Sequence, residues 1–252
     1  MRHRSTIAAA SYLLLAICGS ATANSIGLNF TATRFGGGPY PILPNESAGL
    51  VPQTNWNNTN PLGNGSTADV ASPVAGTLVD NTGAATGVTV QWFNGNAEVN
   101  SSGGNTTPDE RLFRGAVEGQ FFGSPSPQLE VTVSNVPYAH YEVIAYVVGF
   151  GFAADSSVRL GDQEFFYTQS SNFTTDGFIK ATATDYADRT LATYAEFDNL
   201  TGSTFTLELI HQGGNRPAID GFQIVATPEP SSWVLIVLGC GLLGLHIRQR
   251  RK

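Results

Sequence analysis

The chain has 252 residues, a formal net charge of −7 and two cysteines. Between residues 24 and 227, seven basic residues stand against nineteen acidic ones, a net charge of −12, which argues against nucleic-acid binding because phosphate groups would be repelled. Cys18 and Cys240 lie in apolar segments near the two ends, so the central part contains neither disulfides nor thiolates. That part is about 200 residues long, enough for one domain with its own core.

The first 23 residues have the pattern of a secretory signal peptide. Arg2 and Arg4 precede an apolar stretch, and Ala21-Thr22-Ala23 supplies the small residues that signal peptidase requires. The apolar stretch has about 12 residues, too few to cross about 30 Å of hydrocarbon. We therefore expect residues 1–23 to be removed and residues 24–226 to form the exported domain.

Short strands are predicted along this domain. Residues 26–30 alternate apolar and polar side chains, as in a half-buried strand, and residues 35–75 are mostly a loop rich in Gly, Pro and Asn. Asn94-Gly95 predicts a tight turn from which residues 97–99 return as a strand, and residues 111–115 are a short helix or an irregular segment. The further predicted strands are 76–80, 88–93, 129–133, 141–150, a hairpin of 157–160 and 164–168, 191–197, 204–209 and 221–225. Strands at this spacing predict an all-β fold, a single β-sandwich or jelly roll.

Aromatic residues in polar surroundings are the candidates for a sugar-binding site. Such a site needs a ring against the apolar side of a pyranose, with amides and carboxylates around it. Trp56 lies among asparagines that include Asn57, Trp92 lies in a predicted strand that ends near two asparagines, and Tyr167 is a further candidate. For both tryptophans, packing in the core is the alternative, because large aromatic side chains mostly build cores.

Catalytic motifs are not visible in the sequence. It contains neither Gly-x-Ser-x-Gly nor His-Glu-x-x-His, and Asp109-Glu110 would be half of a glycosidase pair only if a second carboxyl lay about 5–9 Å away. The segment Asp80-Asn81-Thr82-Gly83 and the pair Asp185 and Asp188 offer oxygen ligands for calcium, although neither has the EF-hand spacing and turn formation explains residues 80–83 without a metal. We expect no enzymatic activity and no cofactor, with calcium as an alternative.

The chain ends in an apolar run and a basic tail. Residues 232–247 contain no acidic residue, lysine or arginine and predict a short transmembrane helix. Pro228-Glu229-Pro230 precedes it, and the two prolines hold the backbone extended. The residues that should stay in the cytoplasm by the positive-inside rule are Arg248, Arg250, Arg251 and Lys252.

This three-part tail, within residues 227–252, resembles the PEP-CTERM sorting domain of Gram-negative bacteria. The resemblance implies recognition by an exosortase, a membrane-embedded cysteine transpeptidase-like enzyme, with cleavage near the motif. It also implies an association with exopolysaccharide and biofilm. The expected partners are signal peptidase and exosortase during export, the inner membrane through the helix, and exopolysaccharide. The expected location is an inner-membrane-anchored precursor, then the cell surface or the extracellular space.

The central part resembles galactose-binding-like jelly-roll domains. The similar stretches are VTVSNVPYAHYEVIAYV, EFFYT, FDNLTGSTFTLELI and IDGFQIV. Such jelly rolls imply binding of carbohydrate or cell surfaces more often than catalysis. The leading hypothesis is therefore a non-enzymatic, polysaccharide-associated exported protein. A secreted glycan-active hydrolase and a structural matrix component without a discrete ligand are the alternatives.

Overall fold

The computed structural model describes residues 23–32, 38–59, 70–71, 77–93, 95–99, 104–119, 127–149 and 154–227. Strands dominate these residues, and the helices are short. The strands are β1 (Ser25–Asn29), β2 (Asn57–Asn58), β3 (Val70–Ala71), β4 (Thr89–Phe93), β5 (Gly95–Val99), β6 (Gly115–Gly119), β7 (Leu129–Ser134), β8 (His140–Tyr146), β9 (Ala154–Leu160), β10 (Gln163–Gln169), β11 (Thr190–Ala192), β12 (Tyr194–Thr201), β13 (Thr204–Gly214), β14 (Ala218–Ile219) and β15 (Gly221–Ala226). The helices are α1 (Pro108–Leu112), α2 (Phe173–Asp176) and a 3₁₀ turn, Tyr186–Asp188.

Two large sheets form a sandwich. The first has the strand order β12-β8-β15-β1-β2, and the second has the order β11-β10-β9-β13-β7-β4-β3. A smaller sheet, β14-β6-β5, lies beside them. The two large sheets pack face to face, since one buried cluster contains side chains from both. The expected all-β sandwich is thus confirmed.

Alternating side chains build the core between the sheets. In β7, Leu129, Val131 and Val133 are fully buried while the residues between them are partly exposed. Val131 joins the same cluster as Val143 of β8, on the opposite sheet. Successive residues of a strand point to opposite faces, so one apolar residue in every two is enough to fill this core.

A second buried cluster covers the outer face of the five-stranded sheet. Ile144 and Tyr146 of β8 point to that face and pack against Trp56, Phe113 and Phe173, which belong to loops and to the edges of the short helices. We call residues 42–56 with α1 and α2 the covering layer. Because of this layer, β1 is buried on both faces, whereas its alternating sequence predicted a half-buried strand.

Two of the predictions made for residues 76–99 are wrong. Residues 97–99 do not return along β4, because β5 pairs with β6 in the small sheet while β4 pairs with β3 and β7. Within residues 77–80 the structure has a single β-bridge, from Val79 to Ala85, in place of a strand. The reason for the latter is that the Asp80 side chain folds the following residues into a turn.

The predicted strand 191–197 is divided between the two sheets. Its first part is β11 and pairs with β10, whereas its second part begins β12 and pairs with β8. Thr193 lies at the crossing, where its Oγ1 accepts a hydrogen bond from Ile179 N at 2.8 Å and donates one to Gly177 O at 2.9 Å. These hydrogen bonds keep residues 191–197 from pairing as one continuous strand.

Both ends of the described domain leave from the same end of the sandwich. Ser25 of β1 pairs with Val225 of β15, and Ala226 N donates a hydrogen bond to Asn24 O at 2.8 Å. Thr227 N donates to His140 O at 3.0 Å. We call this end, at which Asn24 and Thr227 lie, the tail end.

Candidate functional site

Trp56 packs within the covering layer, and Asn57 joins this layer to its neighbours by hydrogen bonds. The Trp56 side chain is 4% exposed, and its Nε1 donates to Ala48 O at 3.2 Å. Asn57 Nδ2 donates to Gly27 O at 2.9 Å and to Val79 O at 2.8 Å, while its Oδ1 accepts from Val79 N at 2.8 Å. Asn57 therefore links the loop to strand β1.

Trp92 and Tyr167 lie in the core between the sheets. Trp92 is 1% exposed, and its ring stands perpendicular to that of Phe30 with 5.3 Å between centroids. Tyr167 is fully buried, and burial together with the nearby charge of Asp220 raises its pKa. The core-packing alternative thus describes where both tryptophans lie. Glycan binding by these aromatic residues stays a prediction. In this conformation, none of the three rings presents a face to solvent.

The sorting tail and the signal peptide lie almost entirely outside the described residues. This holds for Pro228, Glu229 and Pro230, for the helix predicted at 232–247, and for the basic cluster Arg248, Arg250, Arg251 and Lys252. Within the ranges that the structure describes, no helix has the length and apolar character needed to cross a membrane.

The two calcium candidates named above are engaged in turns. Asp80 Oδ1 accepts hydrogen bonds from Thr82 N at 2.9 Å, Thr82 Oγ1 at 2.6 Å and Ala84 N at 3.0 Å. Burial raises the pKa of Asp80, but these hydrogen bonds outweigh it and keep that pKa below its usual value. Asp185 Oδ1 caps the 3₁₀ turn by accepting from Ala187 N at 2.8 Å, and Asp188 ends that turn. Turn formation, the alternative stated for residues 80–83, accounts for the contacts of Asp80, and the structure shows that Asp185 also serves a turn.

A different acidic cluster is present on the outer face of the five-stranded sheet. One carboxylate oxygen each of Glu142, Glu196 and Asp198 lies within 4.8 Å of the others. Glu142 belongs to β8 and the other two to β12, where the pairing register shifts after Phe197. Lys180 Nζ contacts Glu196 Oε2 at 2.6 Å.

This cluster can hold a hard cation, because calcium prefers carboxylate oxygens. Burial raises the pKa of Glu142, the charges of Glu196 and Asp198 raise it further, and Lys180 acts in the opposite direction. The sequence offered one sign of it: acidic residues occupy outward positions in two β-rich runs. That the two runs lie side by side follows from the order of strands in the sheet.

A cleft of about 480 Å³ opens at the tail end and is lined by residues of both large sheets. Its position follows from the strands that reach that end. Tyr141 near the start of β8 is the most buried lining residue, and the turns after β9 and β12 lie beside the cleft, with Gly161 and Gly202 in the left-handed conformation that these tight turns require. The apolar wall consists of Leu160, Leu200 and Phe205, and the hydroxyls come from Thr201, Thr204 and Thr206.

An ion pair completes the lining of the cleft. Arg159 of β9 and Glu208 of β13 are direct cross-strand neighbours. Arg159 Nε lies 2.6 Å and Nη2 lies 2.5 Å from Glu208 Oε2. Both side chains are partly exposed, so the pair forms at little desolvation cost.

Glu208 is the single acidic residue among the described residues that line the cleft. Glu142 follows the lining residue Tyr141 directly, but successive strand residues point to opposite faces, so its carboxylate belongs to the outer cluster. The lining therefore combines threonine hydroxyls, an ion pair and apolar side chains; by the same alternation, Arg159, Thr206 and Glu208 lie on the face of the seven-stranded sheet opposite to that of Leu160 and Phe205. Sequence reasoning missed it because threonines and leucines in a turn carry no distinctive pattern.

Solved structures give weak matches to this chain. A β-glucuronidase from Bacteroides uniformis is 8% identical, with a TM-score of 0.38, over 81% of this chain and 18% of that one. An exo-β-1,3-galactanase from Phanerochaete chrysosporium, solved with β-1,3-galactotriose, is 12% identical, with a TM-score of 0.29, over 54% of this chain and 27% of that one. The same galactanase solved with galactose matches 60% of this chain and 34% of its own, at 12% identity and a TM-score of 0.29. The chain thus spans about a fifth to a third of the length of these proteins.

The C-terminal segment gives the informative match. No curated protein matches the chain. Residues 226–252 match the family described as the PEP-CTERM protein-sorting motif. This agrees with the resemblance found in Pro228-Glu229-Pro230 and the residues that follow. The chain therefore carries a PEP-CTERM protein-sorting motif at its C-terminus, which implies export and processing by an exosortase.

Proposed function

We propose that this exported protein binds neutral polysaccharide, without catalysis, through the cleft at the tail end. The observation that carries the proposal is the chemistry of the cleft lining. The lining includes three threonines, the Arg159–Glu208 pair and apolar side chains of both large sheets. A pyranose has the complementary character, with hydroxyls around its edge and an apolar C–H face.

The volume of the cleft and the charge of the domain limit the class of ligand. A volume of about 480 Å³ falls within the range of about 300–1,000 Å³ that is typical of small-molecule sites, and it suits a short segment of a sugar chain. The charge of Arg159 is balanced by Glu208, and the region between residues 24 and 227 carries a net charge of −12. An anionic polymer would be repelled by this surface, so we expect an uncharged glycan.

A glycan hydrolase is the second candidate, and one observation favours it. Glu142 has a raised pKa and lies beside two other carboxylates, as a general acid does in retaining glycosidases, where the two carboxyl groups are about 5–5.5 Å apart. These carboxylates lie on the outer face of the sheet, away from the cleft lining, and Lys180 binds one of them. Release of reducing sugar that is lost in Glu142→Gln would support this candidate over simple binding.

Glycan binding by the processed protein tests the proposal. The processed form from the producing cells is titrated with dextran, galactomannan and xyloglucan, together with the double variant Arg159→Ala/Glu208→Ala. Loss of the pair should weaken binding about tenfold, since it removes several hydrogen bonds to the sugar at once. The matched control is Lys180→Ala/Glu196→Ala, an ion pair of similar exposure on the outer face, which should bind like wild type. Equal binding by both double variants, or no binding by wild type, would contradict the proposal.

A further inference from the structure

The outer face of the seven-stranded sheet is polar and continuous with the cleft. Thr206 and Glu208 of β13 line the cleft, and their side chains lie on this face. Across to β7, Thr206 pairs with Thr132 and Glu208 pairs with Glu130. The hydroxyl oxygens of Thr132 and Thr206 are 2.9 Å apart. Hydrogen-bonding side chains therefore extend from the cleft onto the sheet.

An exposed aromatic ring lies on the next strand, β4. Trp92 points into the core, so its neighbours Gln91 and Phe93 point outward, and Phe93 is 44% exposed. Gln91 pairs with Thr132 of β7, and Phe93 pairs with Glu130. The nearest positions to the ring on this face thus carry an amide, a hydroxyl and a carboxylate, which is the set of groups that a sugar-binding site needs.

Exposure of a single apolar side chain needs no explanation, so the surroundings of the ring carry the argument. Among the described residues, two aromatic side chains are exposed, Phe93 and Tyr186. The Tyr186 ring is already engaged: Arg189 Cζ lies 4.0 Å from its centroid, and its hydroxyl donates to Asp155 Oδ2 at 3.2 Å. Phe93 has no ring or cation stacked on it within the part of the chain that the structure describes.

We propose that the outer face around Phe93 is a second subsite for the glycan, in which the ring contacts the apolar face of a pyranose while Gln91 and Glu130 bind its hydroxyls. The proposal rests on the function proposed above and specifies its ligand as an extended chain of linked sugars. Two strand spacings of about 4.8 Å separate Phe93 from Glu208, so the ring lies about 10 Å from the cleft lining. A chain of several sugars spans both sites, whereas a disaccharide occupies one of them at a time.

The charges on this face agree with an uncharged ligand. Glu130 and Glu208 are cross-strand neighbours, and Arg159 forms its ion pair with Glu208. Two like charges side by side repel a polyanion as they repel each other. Sugar hydroxyls donate hydrogen bonds to these carboxylates without adding charge. The second subsite therefore takes the same class of ligand as the cleft.

The affinity should rise with the length of the sugar chain. Once part of a chain is bound in the cleft, its contact with Phe93 becomes intramolecular, with an effective concentration in the millimolar range. Dextran, galactomannan and xyloglucan are tested first, and the polymer that binds is cut into disaccharides and into long oligosaccharides of about eight sugars. The processed protein should bind the long oligosaccharide at least about tenfold more tightly than the disaccharide.

Phe93→Ala provides the decisive variant. Loss of the ring should remove most of the gain for the long oligosaccharide and leave binding of the disaccharide unchanged. Because the side chain is exposed, the midpoint of thermal unfolding should stay within about 2 °C of that of wild type. The matched control is Leu191→Ala, which changes an apolar side chain of similar exposure at the opposite edge of the same sheet and should bind both ligands like wild type.

Phe93→Trp gives a direct readout of contact. A larger ring should bind the long oligosaccharide at least as tightly as wild type. Trp56 and Trp92, the tryptophans of the described domain, are buried, so the introduced indole dominates any change in emission. We expect the emission to shift to shorter wavelength when the long oligosaccharide covers the ring.

The outcomes separate this inference from the proposed function. If wild type binds none of the polysaccharides, the proposed function fails and the second subsite fails with it. If wild type binds, but the long oligosaccharide and the disaccharide bind equally well or Phe93→Ala loses no affinity, the function stands and the subsite at Phe93 is wrong. An unchanged emission of Phe93→Trp at saturating long oligosaccharide would also overturn the subsite.

Discussion

The two faces of the five-stranded sheet are buried in different ways. Its inner face packs against the other sheet through alternating side chains such as Val143 and Ile224. Its outer face is covered by loops and short helices that bring Trp56 and Phe113 onto Tyr146. The inner core needs the correct alternation, whereas the outer cluster also needs each irregular segment to be held in place.

Polar side chains hold the covering layer. Asn58 forms two hydrogen bonds with the backbone of Ile42, each 2.9 Å long, and Asp109 Oδ1 accepts from Gly49 N at 2.8 Å. Burial raises the pKa of Asp109, and the hydrogen bond from Gly49 opposes that rise. A sheet face can therefore be sealed by segments without regular structure, if side chains satisfy their backbone groups.

The largest expected effect tests the inner face. Trp92→Ala removes a buried ring between the sheets and should lower the free energy of unfolding by about 3–5 kcal/mol. For a domain of this size, the midpoint of thermal unfolding should fall by about 10 °C. Circular dichroism and aromatic fluorescence should report the same transition, because the inner core is shared by both sheets. Gln91→Ala, an exposed neighbour, is the control, and a loss below about 1 kcal/mol for Trp92→Ala would show that this core is not as described.

The next effect concerns the covering layer. Asn57→Ala removes three hydrogen bonds to Gly27 and Val79 and should cost about 2–3 kcal/mol, because buried backbone groups lose their partners. We expect a local opening: amide exchange should accelerate in residues 42–58 and at Val79 while strands β7 and β13 stay protected. Leu43→Ala, at an exposed position of the same layer, should have little effect. Uniformly faster exchange in both faces would contradict the distinction drawn between them.

A third variant crowds the contact between sheet and layer. A Cβ at Gly27 would lie 2.5 Å from Gln53 Nε2 and 2.7 Å from the Trp56 ring, so Gly27→Ala should cost about 1–3 kcal/mol. Trp56→Ala removes the nearest ring. In a double-mutant cycle, the cost of Gly27→Ala should therefore be smaller in the Trp56→Ala background. Strict additivity would show that the ring does not press on β1.

The smallest effect concerns the pH dependence of the acidic cluster. Because the folded state raises the pKa of Glu142, its charged form destabilises the fold, and Glu142→Gln should be stabilising at neutral pH by less than about 1 kcal/mol. The gain should disappear below about pH 4, where the carboxyl is protonated in both folded and unfolded states. Urea unfolding at pH 3.5 and 7 measures it. If the cluster binds calcium, added calcium should stabilise wild type and not the variant.

Sequence reasoning recovered what depends on local pattern. The alternation in β7 and the hairpin of residues 157–160 and 164–168 could be predicted because side-chain period and turn chemistry act within a few residues. The covering layer was not legible, since Asn57 acts through bonds to residues about 20 to 30 positions away. The cleft was hidden for a related reason: it combines residues of four strands whose adjacency is set by the sheet order.

The sorting tail could be recognised because its features are close together in the sequence. Its prolines, apolar run and basic end are consecutive, so the match at residues 226–252 needs no tertiary information. The aromatic candidates show the limit of this approach. Polar neighbours in sequence do not indicate exposure, and Trp56 is buried because its asparagine neighbours bond to the backbone instead of facing solvent.

The first and the last strand of the domain end side by side. Asn24 and Ala226 are joined by a hydrogen bond, so a few added residues would connect the first and last strands covalently. Such a circular permutant could begin at Asn215 and end at Gly214 with every strand neighbour retained, as is common in domains whose termini meet. A membrane tail attached there would leave from the opposite pole of the sandwich. The end of the sandwich from which the C-terminal segment leaves is thus set by where the chain is opened, and it can be changed without altering a side chain of the cleft.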